Sequence, residues 1–176
     1  MLGLFRRENH ARSAAINLYR AITARARLPI FHFGFAVPDN VDGRFDLFAL
    51  HAFLVLERLN EAKMDGAVGR YLADEIFDGF QQGLREMGVT DAGLSRRIKT
   101  IADAFYGRIS AYSAAKTDNA IADALLRNVY RGAPRIVEVR ALANRIQGVR
   151  VRLAGQNLSA GEIDFGPAPE NPEHVS

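Results

Sequence analysis

The chain is 176 residues long, 48% apolar and 24% charged, a size and balance that fit one well-formed core and argue against a second domain or extended disorder. With no cysteine, it excludes disulfide frameworks, thiolate nucleophiles, zinc ribbons and iron–sulfur ligation. Its net charge of +3 is carried almost wholly by arginines spread over every segment, which does not match the basic stripe of a nucleic-acid binder and leaves open weak attraction to anionic lipid or a ribosomal surface.

The first helix is predicted over about Ala11 to Arg27, with Ile16, Tyr19, Ile22 and Ala26 on one face and Arg12, Arg20, Arg25 and Arg27 largely on others. Pro29 ends it. Phe31, Phe33 and Phe35 alternate as in a strand, but no partner strand is evident, so the stretch is read as an extended segment or helical turn whose aromatics tuck into the core. The second helix, about Arg44 to Lys63 with Asp42 as its N-cap, is apolar on more than one face and is expected to lie at the centre of the bundle. Its longest apolar run, Leu47 to Leu56, is about half of the ~20 residues needed to cross a bilayer.

A third helix follows Gly66 and runs to about Met87. Gly79 and Gly83 inside it each cost ~1 kcal/mol relative to alanine, so either its second half is weak or another backbone comes close there. Gly88 stops it, Ser95 is expected to cap a fourth helix over about Leu94 to Lys116, and a fifth covers about Asp118 to Tyr130 before Gly132. Pro134 suits the first position of a sixth helix carrying Ile136 to Leu153, with a terminal strand at Val149, Val151 and Leu153 as the competing reading. The predicted fold class is all-α: a single-domain bundle of about six helices over residues 1–155, followed by a mobile tail, 156–176, whose last stretch GPAPENPEHVS has no evident core residues.

Catalytic and metal-binding patterns are sparse. His10, His32, His51 and His174 show no pair at helical spacing, and the GxSxG, GxGxxG, phosphate-loop and HExxH signatures are missing. His51 lies in the most apolar helix and is read as a hydrogen-bonded histidine of the core or of a groove mouth, since Asp46 and Glu57 do not share its face. Asp74, Glu75 and Asp78 read as a solvated face. Arg96, Arg97 and Lys99 stand where their charge opposes the helix dipole, so they are either simply solvated or turned to an acidic partner or lipid.

The phrases FDLFALHAFLVLERL, LREMGV and ADAFYGRISAY, in this order and spacing, resemble the ubiquinol-cytochrome c chaperone family, and the resemblance covers roughly Ile16 to Gly132. It implies a helical protein that is not an enzyme, carries no cofactor, and holds newly made cytochrome b during assembly of respiratory complex III. A surface for such a client is expected around Tyr71, Phe77, Phe80, Phe105, Tyr106 and Tyr112, more aromatics than two helical stripes need, with Arg96 and Arg97 as basic rim. The arginine-rich N-terminus also suits a mitochondrial transit peptide. Because the same residues supply the family's first helix, the reading adopted is a bacterial cytoplasmic protein, peripheral at the inner face of the membrane, with the ribosome exit region as a further contact. The alternative from another class is a helical enzyme or regulator that binds a small molecule between His51 and Asp46.

Overall fold

The structure, a computed structural model, describes residues 2–62 and 66–171. Its elements in order are α1 (Leu2–Ala26), α2 (Ile30–Phe33), α3 (Val41–Glu61), α4 (Gly66–Glu86), α5 (Asp91–Ala114), α6 (Asp118–Asn128), α7 (Ile136–Ala154) and a 3-10 turn at Leu158–Ala160. The all-α bundle expected from the sequence is therefore present, with α2 as a one-turn addition to the six long helices.

The apolar segment is the axis, as its composition requires. From Asp46 to Val55, α3 is buried apart from half-buried Phe48, because α1, α4, α5 and α7 each pack against a different side. The direction of α7 matches that of α3: Arg131, just before α7, meets Asp46, whereas Arg150 near its end grips both carboxylate oxygens of Glu57 with Nε and Nη2, at 2.8 and 3.1 Å. The same Arg150 reaches the carbonyls of Tyr112 and Ala115 and stacks over Phe53, so one side chain ties α7, α5 and α3 together.

The boundaries moved for local reasons. Helix α1 starts at Leu2 rather than Ala11, and its buried stripe is Ala11, Ala14, Ala15, Leu18, Ile22 and Ala26, while Ile16 and Tyr19 are only half-buried. Arg25, expected off this stripe, is 8% exposed because its guanidinium donates to the carbonyls of Gly166 and Pro167. Asn40, not Asp42, caps α3, accepting from the Gly43 amide at 2.8 Å. Helix α5 begins one turn before the expected Ser95 cap, at Thr90 and Asp91, so Arg96 and Arg97 fall in its second turn. Helix α7 is continuous to Ala154, which removes the strand reading, and Pro134 lies outside it, ahead of the cap Arg135.

Packing also continues past residue 155. Leu158 is fully buried, Phe165 is 7% exposed, and Gly161 at φ 78° lies so close to α1 that a Cβ there would be 2.6 Å from the Ala14 Cα. The stretch expected to be a loose tail from residue 156 is thus pinned across α1 and α7 as far as Pro167, with its turns made by Asn157, Gly161 and the Asp164–Gly166 hydrogen bond. The part of that expectation concerning 172–176, and the end of the second predicted helix at Lys63, lie outside the described residues.

Candidate functional site

Two local features open a cleft between α1, α2, α3 and α4. Gly79 leaves room for the Tyr19 ring, whose hydroxyl would stand 2.1 Å from a Cβ at that position, so the close approach inferred from the helical glycines is made by a side chain of α1. Gly83 faces open space and serves no such purpose. The short α2 then carries the chain sideways, placing Phe33 outward at 84% exposure while Phe31 and Phe35 turn into the core. The expectation that all three rings would be buried fails at Phe33, because a single helical turn cannot direct three alternate residues to one side.

The resulting cleft has a volume of about 750 Å³ and is walled by Tyr19, Phe45, Phe48 and Phe80, with Phe33 at its edge and Arg27 and Arg44 on the rim. That volume lies within the ~300–1,000 Å³ of sites that accept apolar ligands. On the rim, a hydrogen bond from Arg44 to Asp39 at 2.8 Å holds the Asp39 carboxyl below the usual carboxylate range. Inside, the buried Thr23 hydroxyl has no hydrogen-bond partner.

From this wall a chain of ring contacts runs outward. Tyr19 meets Phe48 edge-on at 5.9 Å, Phe48 and Phe45 each meet Phe80 at 5.7 Å, and Phe80 meets Phe77 and Phe105 at 5.7 Å. Phe77 and Phe105 then meet Tyr106, which is 55% exposed. Offset and edge-to-face rings at such separations contribute ~0.5–1.5 kcal/mol per pair beyond their buried area, so the run is a stiff shelf.

Of the expected client residues, Phe77, Phe80 and Tyr106 belong to this shelf; Tyr71 is half-buried but has no ring partner among the described residues. Arg96 and Arg97 are exposed and form no ion pair among the described residues. Two assignments need correction. Tyr112 is fully buried against Phe53, and Phe105 is 2% exposed beneath Phe77 and Phe80, so neither can touch a partner directly. Their spacing on α5 matched the aromatic surface only because α3 covers that face too. The residues missed were Tyr19, Phe45 and Phe48, read as core. Of the two helical glycines that suggested a close approach, only Gly79 marked it.

The chemistry of His51 and Asp46 is structural. His51 is 1% exposed, its Nδ1 hydrogen-bonds to the Leu47 carbonyl at 2.8 Å, and its ring lies edge-on to Phe31 and Phe165. Burial pushes its pKa down to about 4, so it is neutral at pH 7. Asp46 is fully buried; Arg108 donates to it at 2.6 Å, and Arg131 makes a 3.1 Å ion contact too oblique for a hydrogen bond. Burial raises the Asp46 pKa and the two guanidiniums pull it back, leaving it above the ordinary value. Arg108 also stacks over Phe45 at 4.9 Å, so the buried acid fixes a ring of the cleft wall. Neither His51 nor Asp46 lines the cleft, and they do not form the shared pocket that an enzyme built on this pair needs. Among the described residues, no group of three or more histidine or acidic side chains converges as metal ligands.

Comparison with known proteins places this architecture. The ubiquinol-cytochrome C chaperone family matches residues 33–160. The chain is 24% identical over 168 residues to the ubiquinol-cytochrome-c reductase complex assembly factor 1 of Xenopus laevis, covering 89% of this chain and 82% of that protein. It superimposes on the crystal structure of the Cbp3 homolog from Brucella abortus with a TM-score of 0.82 and 33% identity, covering 99% of each chain. The chain belongs to the ubiquinol-cytochrome C chaperone family.

Proposed function

We propose that this protein is an assembly chaperone of ubiquinol-cytochrome c reductase and that its client is newly made cytochrome b, an apolar segment of which rests in the Tyr19–Phe80 cleft and along the aromatic shelf. The observation that carries this reading is the continuous ring surface from a cleft of about 750 Å³ to exposed Tyr106, in a chain of this family. A membrane protein waiting for its partners exposes apolar helical faces, and a groove of rings covers such a face without requiring one sequence, because dispersion and area burial carry no donor–acceptor code. Phe77, Phe80, Tyr106 and half-buried Tyr71 make the contact, and Arg96 and Arg97, exposed in the second turn of α5, are the cations offered to polar parts of the client.

Deleting the gene in its own host should lower cytochrome b and assembled complex III together, and the wild-type gene should restore both. Tyr106→Asp should reduce co-purification of cytochrome b severalfold while the variant, which loses two ring contacts worth ~0.5–1.5 kcal/mol each, keeps the wild-type circular dichroism. Normal cytochrome b and complex III in the deletion strain would overturn the proposal.

A further inference from the structure

One end of the bundle, next to the mouth of the cleft, combines exposed apolar side chains with arginines unpaired among the described residues. Helices α3 and α7 both begin there, and α6 ends there. The α6–α7 turn is fastened to the segments around α3: Tyr130 donates its hydroxyl to the Phe35 carbonyl at 2.7 Å, and Arg131 contacts Asp42 and Asp46 at 3.3 and 3.1 Å. Helix α1 ends beside them, since Ala26 and Arg27 share the cleft with Arg44 and Phe45. Among the described residues, four of the seven large apolar side chains that stand exposed gather at this end: Phe33 at 84%, Val41 at 68%, Ile136 at 65% and Val137 at 69%. One exposed ring and three exposed branched chains at one end of a bundle are not a folding requirement.

The charges around them are lopsided. Asp39, Asp42 and Glu138 are each engaged by an arginine, Arg44, Arg131 and Arg135 respectively. Three further arginines at this end, Arg27, Arg127 and Arg140, are exposed and form no ion pair among the described residues. Apolar protrusions ringed by uncompensated guanidiniums match the boundary of an anionic bilayer, where the side chains enter the headgroup region and the cations meet phosphate. No described helix is long and apolar enough to cross a membrane.

We infer that this end of the molecule docks on an anionic lipid surface, inserting Phe33, Val41, Ile136 and Val137 between arginines that meet the headgroups. Because Phe33, Arg27 and Arg44 also border the cleft, the docked orientation directs the cleft mouth toward the membrane, where an apolar segment leaves the bilayer. This goes beyond the client assignment, and its test contains no client.

The full chain is sedimented with vesicles of phosphatidylcholine alone and of phosphatidylcholine with 30% phosphatidylglycerol. Binding is expected only to the anionic vesicles and should be released by 0.5 M salt, which shortens the Debye length to a few ångströms. Arg127→Glu and Arg140→Glu should each weaken binding by roughly fivefold or more. Phe33→Ser with Val137→Ser should weaken it by roughly tenfold, with unchanged circular dichroism. Val151→Ser, an equally exposed change at the far end of α7, should have no effect. Equal binding to both vesicle types, no binding to either, or equal losses with Val151→Ser and the docking-end variants would each overturn the inference.

Discussion

Tyr112→Phe is expected to stabilise this protein, and the reason separates a core residue from a binding residue. Tyr112 is 0% exposed, its ring packs against Phe53 at 5.6 Å, and its hydroxyl is buried with no hydrogen-bond partner. Burial pushes its phenol pKa upward, as expected for a hydroxyl deprived of water. A buried, unsatisfied hydroxyl costs about 1–3 kcal/mol. Removing it leaves a void of at most roughly 10–15 Å³, which at about 24 cal/mol per Å³ returns only ~0.3 kcal/mol. The net gain is about 1 kcal/mol, or roughly 2–4 °C in Tm for a chain of this length. Urea titration followed by circular dichroism measures it, with an unchanged m-value showing that the unfolded state is not the cause. Tyr112→Ala should instead lose ~3–5 kcal/mol as the whole ring leaves the core. Capture of cytochrome b by Tyr112→Phe should equal wild type. A loss of stability beyond about 1 kcal/mol in Tyr112→Phe would mean that the hydroxyl has a partner, and the reasoning would be wrong.

Two further outcomes follow from the same packing. His51 has its folded pKa lowered to about 4 from an ordinary 6.5, so its contribution is complete above pH 6.5 and is lost as pH falls toward 4, because the unfolded chain then takes up the proton more readily. At about 1.36 kcal/mol per pKa unit the loss approaches ~3 kcal/mol in full and ~2 kcal/mol by pH 5, and His51→Gln should flatten this stretch of the stability–pH curve. Gly43→Ala, although alanine favours helices, should destabilise by about 2 kcal/mol or more in urea melts, since the new Cβ would stand 1.9 Å from the backbone carbonyl oxygen of Pro38.

What the sequence made legible was whatever repeats along one helix. The excess of apolar residues from Phe45 to Leu59 could only mean a helix wrapped on all sides, and α3 is that helix. Stops at Pro29, Gly88 and Gly132 are local effects of backbone geometry and fell where expected. The misses arose where a distant contact outweighed the local pattern. Arg25 looks like surface until the carbonyls of Gly166 and Pro167, some 140 residues away, satisfy its guanidinium. Phe165 looks like part of a loose tail until it packs against His51. The cleft was illegible for the same reason: Tyr19, Phe48 and Phe80 come from three helices, and no single period encodes their meeting.

The ion network under the cleft explains how an adaptable surface can still have a fixed base. Arg108 is committed three ways, to Asp46, to the Ala104 carbonyl and to the face of Phe45, so its guanidinium has no freedom to leave the ring it covers. Asp46 is fully buried; removing Arg108 would leave it only the oblique Arg131 contact, and removing Asp46 would strand the Arg108 guanidinium, losses of the kind that cost up to about 3–5 kcal/mol and lock the arrangement more firmly than ring contacts alone. Phe45 is thereby held from behind, and it positions Phe80, the ring shared by the cleft wall and the shelf. Tyr106 at the outer end has no such support and is more than half exposed. Under the proposed function, a client segment meets an inner wall fixed from behind by this ion network and, at the outer end, the Tyr106 ring, which among the described residues is held by Phe77 and Phe105 alone.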